Sequence, residues 1–218
     1  MSPLKIIVCG ATGRTGSRVA VLADMDPRFR VIARDGHALD AADAVIDFTV
    51  PDAAAGFAAA CARAKVAFVT GTTGLDDTQR AAVAATAKIV PVFSTPNFSR
   101  GVALMAHLAA EAARRLPGYN AAIVETHHKG KIDAPSGTAL RLAQAARGDG
   151  NAPPISSLRL GGVVGDHELT FAGPDERLTL THRAESRDVF ARGALDAALW
   201  AVKQKPGLYD MNDLLGLR

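Results

Sequence analysis

Through the first half of the chain, short unbroken apolar runs alternate with longer stretches in which apolar residues recur every three or four positions. The runs LKIIVCG (4–10), RVIAR (30–34), AVIDFTV (44–50), VAFVTG (66–71) and IVPVFST (89–95) read as strands buried on both faces. Stretches 13–26, 51–64 and 75–88 between them read as helices, the second opened by Pro51. Pro91 inside the fifth run suggests an edge strand or a break, because proline cannot donate to a ladder. Strand and helix alternating over short connections predict βαβ units, hence a Rossmann-like parallel sheet with right-handed crossovers.

The rhythm changes after Asn97. Residues 100–116 predict one long helix, 121–130 a strand, and 137–147 a helix followed by the loop GDGNAPP (148–154). Residues 166–173 and 177–184 alternate apolar and polar positions on either side of GPDE, which predicts an antiparallel pair. A last helix spans 189–204. The expected fold class is α/β: an N-terminal Rossmann-like parallel-sheet domain, then a smaller C-terminal α+β domain with a mixed or antiparallel sheet.

A hydrophobic content of 48% with 22% charged residues suits a chain that buries a core, which excludes disorder as its main state. The net charge of +3 comes from scattered Lys and Arg, and aromatic residues make up only 5%. Both features disfavour a nucleic-acid partner and favour a small anionic molecule. Cys9 falls in a strand and Cys61 in a helix, without CxxC spacing, so both read as small core residues of a reducing compartment. The run MSPLKIIVCG lacks the long apolar region of a secretory leader, and the most apolar helix is interrupted by Arg63 and Lys65. A cytoplasmic protein outside the membrane is expected.

Between the first strand and the first helix, VCGATGRTGSRV spaces Gly10, Gly13 and Gly16 three residues apart. The tight turn, the close approach of a pyrophosphate and the packing of helix on sheet each call for a glycine there. The spacing is G-x-x-G-x-x-G rather than G-x-G-x-x-G, and a purely structural turn is the alternative. After the second strand stand Arg34 and Asp35, with Arg14 in the turn. An acidic residue suits the ribose of NADH and an arginine the 2′-phosphate of NADPH, so NADPH is favoured and NADH stays open. Arg34 as a plain surface charge is the other reading. TGTTG (70–74) and STPNF (94–98) close the fourth and fifth strands, at the strand ends where open α/β sheets bind ligands.

The stretch ETHHKGKIDAPSGTAL (125–140) crowds His127, His128, Lys129 and Lys131 just before a helix start. Ser136 is the candidate N-cap, leaving the amides of Gly137 and Thr138 in the first turn to bind an anion. Imidazoles that titrate near neutral pH add a proton source, so the set suits a carboxylate substrate that needs both clamping and protonation. Metal binding is the rival for paired histidines, but strand neighbours point to opposite faces and no H-x-x-x-H spacing is present. A structural histidine pair is the third reading.

ETHHKGKIDAPSGTA also resembles the signature E-x-H-H-x-x-K-x-D-A-P-S-G-T-A of the 4-hydroxy-tetrahydrodipicolinate reductase (dihydrodipicolinate reductase) family. VIDFT, GTTG, PNFSRGV, VVGDHEL and ESRDVFARGALDAALW are similar to its other marks, in the same order and from end to end. The resemblance implies an oxidoreductase that uses NADPH or NADH to reduce 4-hydroxy-tetrahydrodipicolinate to tetrahydrodipicolinate, in the diaminopimelate route of lysine biosynthesis. It implies His127 as proton donor with Lys131 as catalytic partner, and no metal. It implies substrate contacts from His128, Ser136, Gly137, Thr138, Arg187 and Phe190. It lines the cofactor with Gly10, Ala11, Thr12, Gly13, Arg14 and Thr15, with Thr70, Gly71 and Thr72, and with Thr95, Pro96, Asn97 and Phe98. Residues 1–98, completed by 190–218, would form the dinucleotide-binding domain, and 99–189 the domain for substrate binding and oligomerisation, here as a homotetramer. Segments 34–44 and 144–157 are shorter than is usual in the family. The intact His127, Lys131 and Ser136 argue against a dinucleotide-binding sensor without chemistry.

Overall fold

The computed structural model describes residues 2–148 and 150–218; Met1, and Asp149 of the expected Gly-Asn-Pro loop, lie outside the described residues. Contacts divide the chain into two units, 1–98 with 188–216 and Arg218, and 99–187 with Leu217.

The first unit is built on six parallel strands: β1 (Leu4–Cys9), β2 (Phe29–Ala33), β3 (Ala44–Asp47), β4 (Ala67–Thr70), β5 (Pro91–Ser94) and β10 (Gly207–Tyr209). Their order is β10-β5-β4-β3-β1-β2. Helices α1 (Arg14–Asp24), α2 (Pro51–Ala64) and α3 (Asp77–Thr86) make the crossovers, and α6 (Asp188–Ala201) and α7 (Met211–Leu215) flank the last strand. Ile7, Cys9, Val45, Phe68 and Val92 pack with Ala58 and Cys61 of α2 and Val83 of α3. Their strand neighbours Ile6, Val8, Ile46, Val69 and Phe93 are equally buried, on the face where Trp200 of α6 meets Phe93 edge-on. Burial on both sides explains why these strands read as unbroken apolar runs.

Local sequence sets the helix ends. Pro51 opens α2 at its first position, and Asp76 with Gln79 forms a reciprocal capping box on α3. Pro91 departs from expectation: β5 is an interior strand between β4 and β10, and its proline stands at the first position, where a missing donor is tolerated. β10 and α7 have no counterpart in the sequence reading, because segments of three and five residues are too short to show a period.

The second unit carries a mixed four-stranded sheet in the order β7-β6-β8-β9. It is formed by β6 (Asn120–His127), β7 (Ile155–Arg159), β8 (Asp166–Ala172) and β9 (Arg177–Arg183). β7 runs parallel to β6, whereas β6–β8 and β8–β9 are antiparallel. β7 also escaped the sequence reading, since ISSLR carries only two apolar residues. Helices α4 (Arg100–Arg115) and α5 (Gly137–Ala145) cover one face, packing Met105, Ala109 and Leu142 against Ile123, Leu169 and Phe171. Ser99 and Ser136 cap the two helices through their hydroxyls.

Two helical glycines test how tightly the first unit is packed. A Cβ on Gly193 of α6 would lie 2.0 Å from the Phe98 carbonyl oxygen, whereas one on Gly56 of α2 would meet nothing within 4 Å. Gly193→Ala is expected to destabilise by about 1–3 kcal/mol through overpacking, and Gly56→Ala to stabilise by roughly 0.5–1 kcal/mol through helix propensity. Thermal melts of the two variants should move in opposite directions.

Candidate active site

In the first unit the chemistry gathers at the carboxyl ends of the strands. With β2 on one side of β1 and β3 on the other, the order in which strands are added reverses between β1 and β3, the point at which doubly wound folds bind ligands. The glycine turn sits there. Gly10 takes φ +77°, and a Cβ on it would lie 2.4 Å from the Phe48 carbonyl oxygen at the end of β3. A Cβ on Gly16 would lie 2.1 Å from the Gly10 carbonyl oxygen, so helix and turn close on each other without room for a side chain. Gly13, the N-cap of α1, offers no capping side chain, and the first turn holds no acidic residue. Amides and helix dipole are left to an external anion, which is what a pyrophosphate requires.

Next to this turn lies a buried carboxylate that the sequence reading passed over. Asp47, with no exposed surface, accepts hydrogen bonds from the Thr49 hydroxyl (2.6 Å), the Thr49 amide (3.1 Å), and the hydroxyls of Thr70 and Thr72 (2.7 Å each). One side chain thus fastens the loop after β3 to TGTTG after β4. The Thr95 amide in turn donates to the Thr70 carbonyl at 3.2 Å, and the Thr95 hydroxyl to the Asn97 carbonyl at 3.0 Å. Gly71 stands where a Cβ would strike the rings of Phe48 and Phe98. The ends of β3, β4 and β5 are therefore joined in one network, against which Gly10 of the glycine turn packs through the Phe48 carbonyl. Arg34 stands apart from it, paired with Asp24 at 2.5 Å on the surface. Asp35 accepts from the His37 amide at 3.2 Å, and Arg14 is exposed in the first turn of α1.

In the second unit, Glu125 and His127 lie two residues apart on β6 and so share its inner face. Glu125 is fully buried; its carboxylate meets His127 Nδ1, accepts from the Ser136 amide at 3.3 Å, and takes Arg159 Nη2 at 3.0 Å and Nη1 at 3.2 Å. Burial alone would raise the Glu125 carboxyl, but the hydrogen bonds from Arg159, Ser157 and His127 prevail and hold it at about 2. His127 itself is driven below its ordinary value, first by burial; the Glu125 charge opposes this, and Lys131 and Arg159 add to the lowering. Its Nε2 takes no hydrogen bond from the described residues and faces Gly165, where a Cβ would come within 3.0 Å. That glycine keeps the outer nitrogen accessible.

His127 heads a row of three histidines. Its ring meets that of His167 edge-on at 5.1 Å, and His167 meets His182 across the β8–β9 pair at 6.5 Å. His167 Nε2 lies 3.2 Å from the capping hydroxyl of Ser136, and His182 Nε2 lies 3.1 Å from that of Ser99. Both Nδ1 atoms are buried, with no partner among the described residues. Burial, then the neighbouring His127, pushes His167 down to about 4, which keeps it neutral at physiological pH.

The expected substrate residues of this unit come together in part. His128 Nε2 meets Arg187 Nη2 at 3.1 Å, and Ser136 caps the helix that begins at Gly137 and Thr138. The ammonium of Lys131 is held by both carboxylate oxygens of Asp133, at 2.7 and 2.8 Å, rather than by a histidine. Phe190, at the start of α6, belongs to the first unit. Glu125, Arg159, Gly165 and His167 were missed as site residues. Glu125 stands two residues from His127 on the same strand, but only the fold shows that β7 and the start of β8 bring Arg159, Gly165 and His167 to it. Among the described residues no group of three metal-ligating side chains occurs, and no helix is long and apolar enough to cross a membrane.

Both units have counterparts among known proteins. Residues 31–98 match the family model described as "Dihydrodipicolinate reductase, N-terminus", and residues 101–215 match "Dihydrodipicolinate reductase, C-terminus". The chain is 41% identical to a 4-hydroxy-tetrahydrodipicolinate reductase of Xanthomonas campestris pv. campestris over 98% of both chains. It is 47% identical to one of Thiobacillus denitrificans over 83% of this chain and 76% of that one. Among solved structures, a dipicolinate-bound dihydrodipicolinate reductase from Paenisporosarcina sp. TG-14 shares the fold. Its TM-score is 0.83 at 22% identity, covering 95% of this chain and 97% of that one.

The neutral histidine row makes stability depend on pH. His167 lies below its unfolded value, so its contribution is complete above about pH 6.5 and is lost as pH falls toward about 4. His127 and His182 shift in the same direction. Urea unfolding between pH 7.5 and 4.5 should show stability falling on acidification. His167→Gln should remove roughly 3 kcal/mol of that dependence.

Proposed function

The chain belongs to the dihydrodipicolinate reductase family and is an oxidoreductase, and from that membership we propose that it reduces 4-hydroxy-tetrahydrodipicolinate with NADPH or NADH, His127 giving the proton. The observation that carries this reading is the His127 imidazole. It is buried at a strand end, tied through Nδ1 to Glu125, with Nε2 left open beside Gly165.

The cofactor, when bound, supplies the hydride. The first unit is its holder: the Gly10–Gly13–Gly16 turn takes the pyrophosphate, and the loops after β4 and β5 take the nicotinamide half. The second unit holds the dicarboxylate. First-turn amides of α5 meet one carboxylate, and the facing pair His128 and Arg187 meets the other. A neutral His127 cannot give a proton, but two substrate carboxylates beside it favour the imidazolium and reverse the effect of burial. The proton would leave Nε2 for the charge that hydride transfer would create on the ring, the Lys131 ammonium would stabilise that charge, and the substrate's 4-hydroxyl would depart as water.

The reaction serves the diaminopimelate route to lysine in the cytoplasm, in keeping with two free buried cysteines. The face of the second sheet opposite α4 and α5 exposes Val124 and Leu158 among threonines, a surface suited to pairing with other copies as a homotetramer.

The decisive assay mixes the protein with substrate generated in situ and follows loss of reduced-cofactor absorbance; no oxidation of either NADPH or NADH refutes the reading. Lys131→Ala should lower kcat about 100-fold or more while cofactor affinity changes little. For the cofactor, Arg34→Ala should raise the KM for NADPH and leave that for NADH unchanged. Equal effects on both would remove Arg34 from the 2′-phosphate site.

A further inference from the structure

We propose that Glu125, braced by Arg159, is the positioning residue that determines which nitrogen of His127 carries the exchangeable proton, and that the same guanidinium anchors the Lys131 loop to that histidine. The proposal rests on His127 being the proton donor, but the geometry behind it is independent of substrate.

A carboxylate at neutral pH only accepts hydrogen bonds, so whatever meets it must bring a hydrogen. Glu125 has no exposed surface and no access to water as a substitute partner. Contact with His127 Nδ1 therefore requires the hydrogen to reside on Nδ1. In the neutral ring Nε2 is then left as the one basic nitrogen, and it is the atom beside Gly165. Each proton given up is regained at the same place, and the ring cannot turn over without stripping the buried carboxylate of a partner. An orienting carboxylate has this role in serine proteases, where the isosteric amide holds the wrong tautomer and costs orders of magnitude in kcat.

Arg159 links this control to Lys131. It faces His127 in register on β7, and its fork spans both Glu125 oxygens. The same guanidinium donates from Nε to the Lys131 carbonyl at 3.2 Å and from Nη2 to the Asp133 carbonyl at 2.5 Å. Between those two carbonyls sits Ile132, 98% exposed, so the loop has no apolar anchor of its own there. The planar fork of arginine meets a carboxylate and two carbonyls at once, a geometry lysine cannot reproduce.

The test uses protein labelled with nitrogen-15 in its histidines, at pH 8, where the neutral ring dominates, with His127 assigned by the resonances lost in His127→Gln. The expected wild-type spectrum shows the hydrogen on Nδ1 of His127, and Glu125→Gln, whose amide can donate to Nδ1, moves it to Nε2. With that change kcat should fall about 100-fold or more, each KM should stay within about threefold, and Glu125→Asp should recover part of the loss. Arg159→Lys should raise the KM for the dicarboxylate more than that for the cofactor. A wild-type ring carrying its hydrogen on Nε2 overturns the proposal even if no variant folds, as does a Glu125→Gln enzyme with unchanged kcat. Full activity in His127→Gln refutes instead the assignment of the proton donor, and leaves the tautomer result to stand or fall by itself.

Discussion

A carboxylate sealed from water must find every partner inside the protein, and Glu125 does so by drawing on three separate elements. Its own strand supplies His127, the neighbouring strand Arg159 and Ser157, and the start of α5 the Ser136 amide. Burial raises the energy of the charge, so the contacts hold only together; removing one leaves the others facing an uncompensated anion. This is why β6, β7, the capped helix and the lysine loop keep a common geometry. The His127 imidazole and the start of α5 are thereby set by one side chain.

The first unit solves a similar problem with different chemistry. Asp47 is equally buried, but threonine hydroxyls and an amide surround it rather than a guanidinium. Each unit thus places a buried acid near a strand end and uses it to hold the neighbouring segments together. The histidine row adds a further constraint. Kept neutral by burial, His167 and His182 support the two capping serines without adding positive charge beside His127.

Family membership gives these features their context. Relatives at 41% and 47% identity carry a reductase name, and the dipicolinate-bound reductase shares the fold at only 22% identity. A fold kept at that distance rests on the pattern of buried positions more than on particular core residues.

Local pattern was enough for much of this. Unbroken apolar runs predicted β1 to β5 because both faces of that sheet are covered, and Pro51 and Ser136 marked helix starts through backbone chemistry that acts within a turn. The run from Glu125 to Leu140 displayed its donors openly, since they are close in sequence. β7, β10 and the interior place of β5 were not legible, because short strands have no period and sheet order is a long-range property.

By itself, then, the sequence determined the order and kind of the elements, the glycine turn and the chemical types available near His127. Only the tertiary structure decided their pairing. It brought Arg159 to a glutamate 34 residues away, Thr70 and Thr72 to Asp47, and the Lys131 ammonium to Asp133. The reason is physical: period and capping act over a few residues, whereas the partner of a buried charge is whichever group the packed strands carry to it.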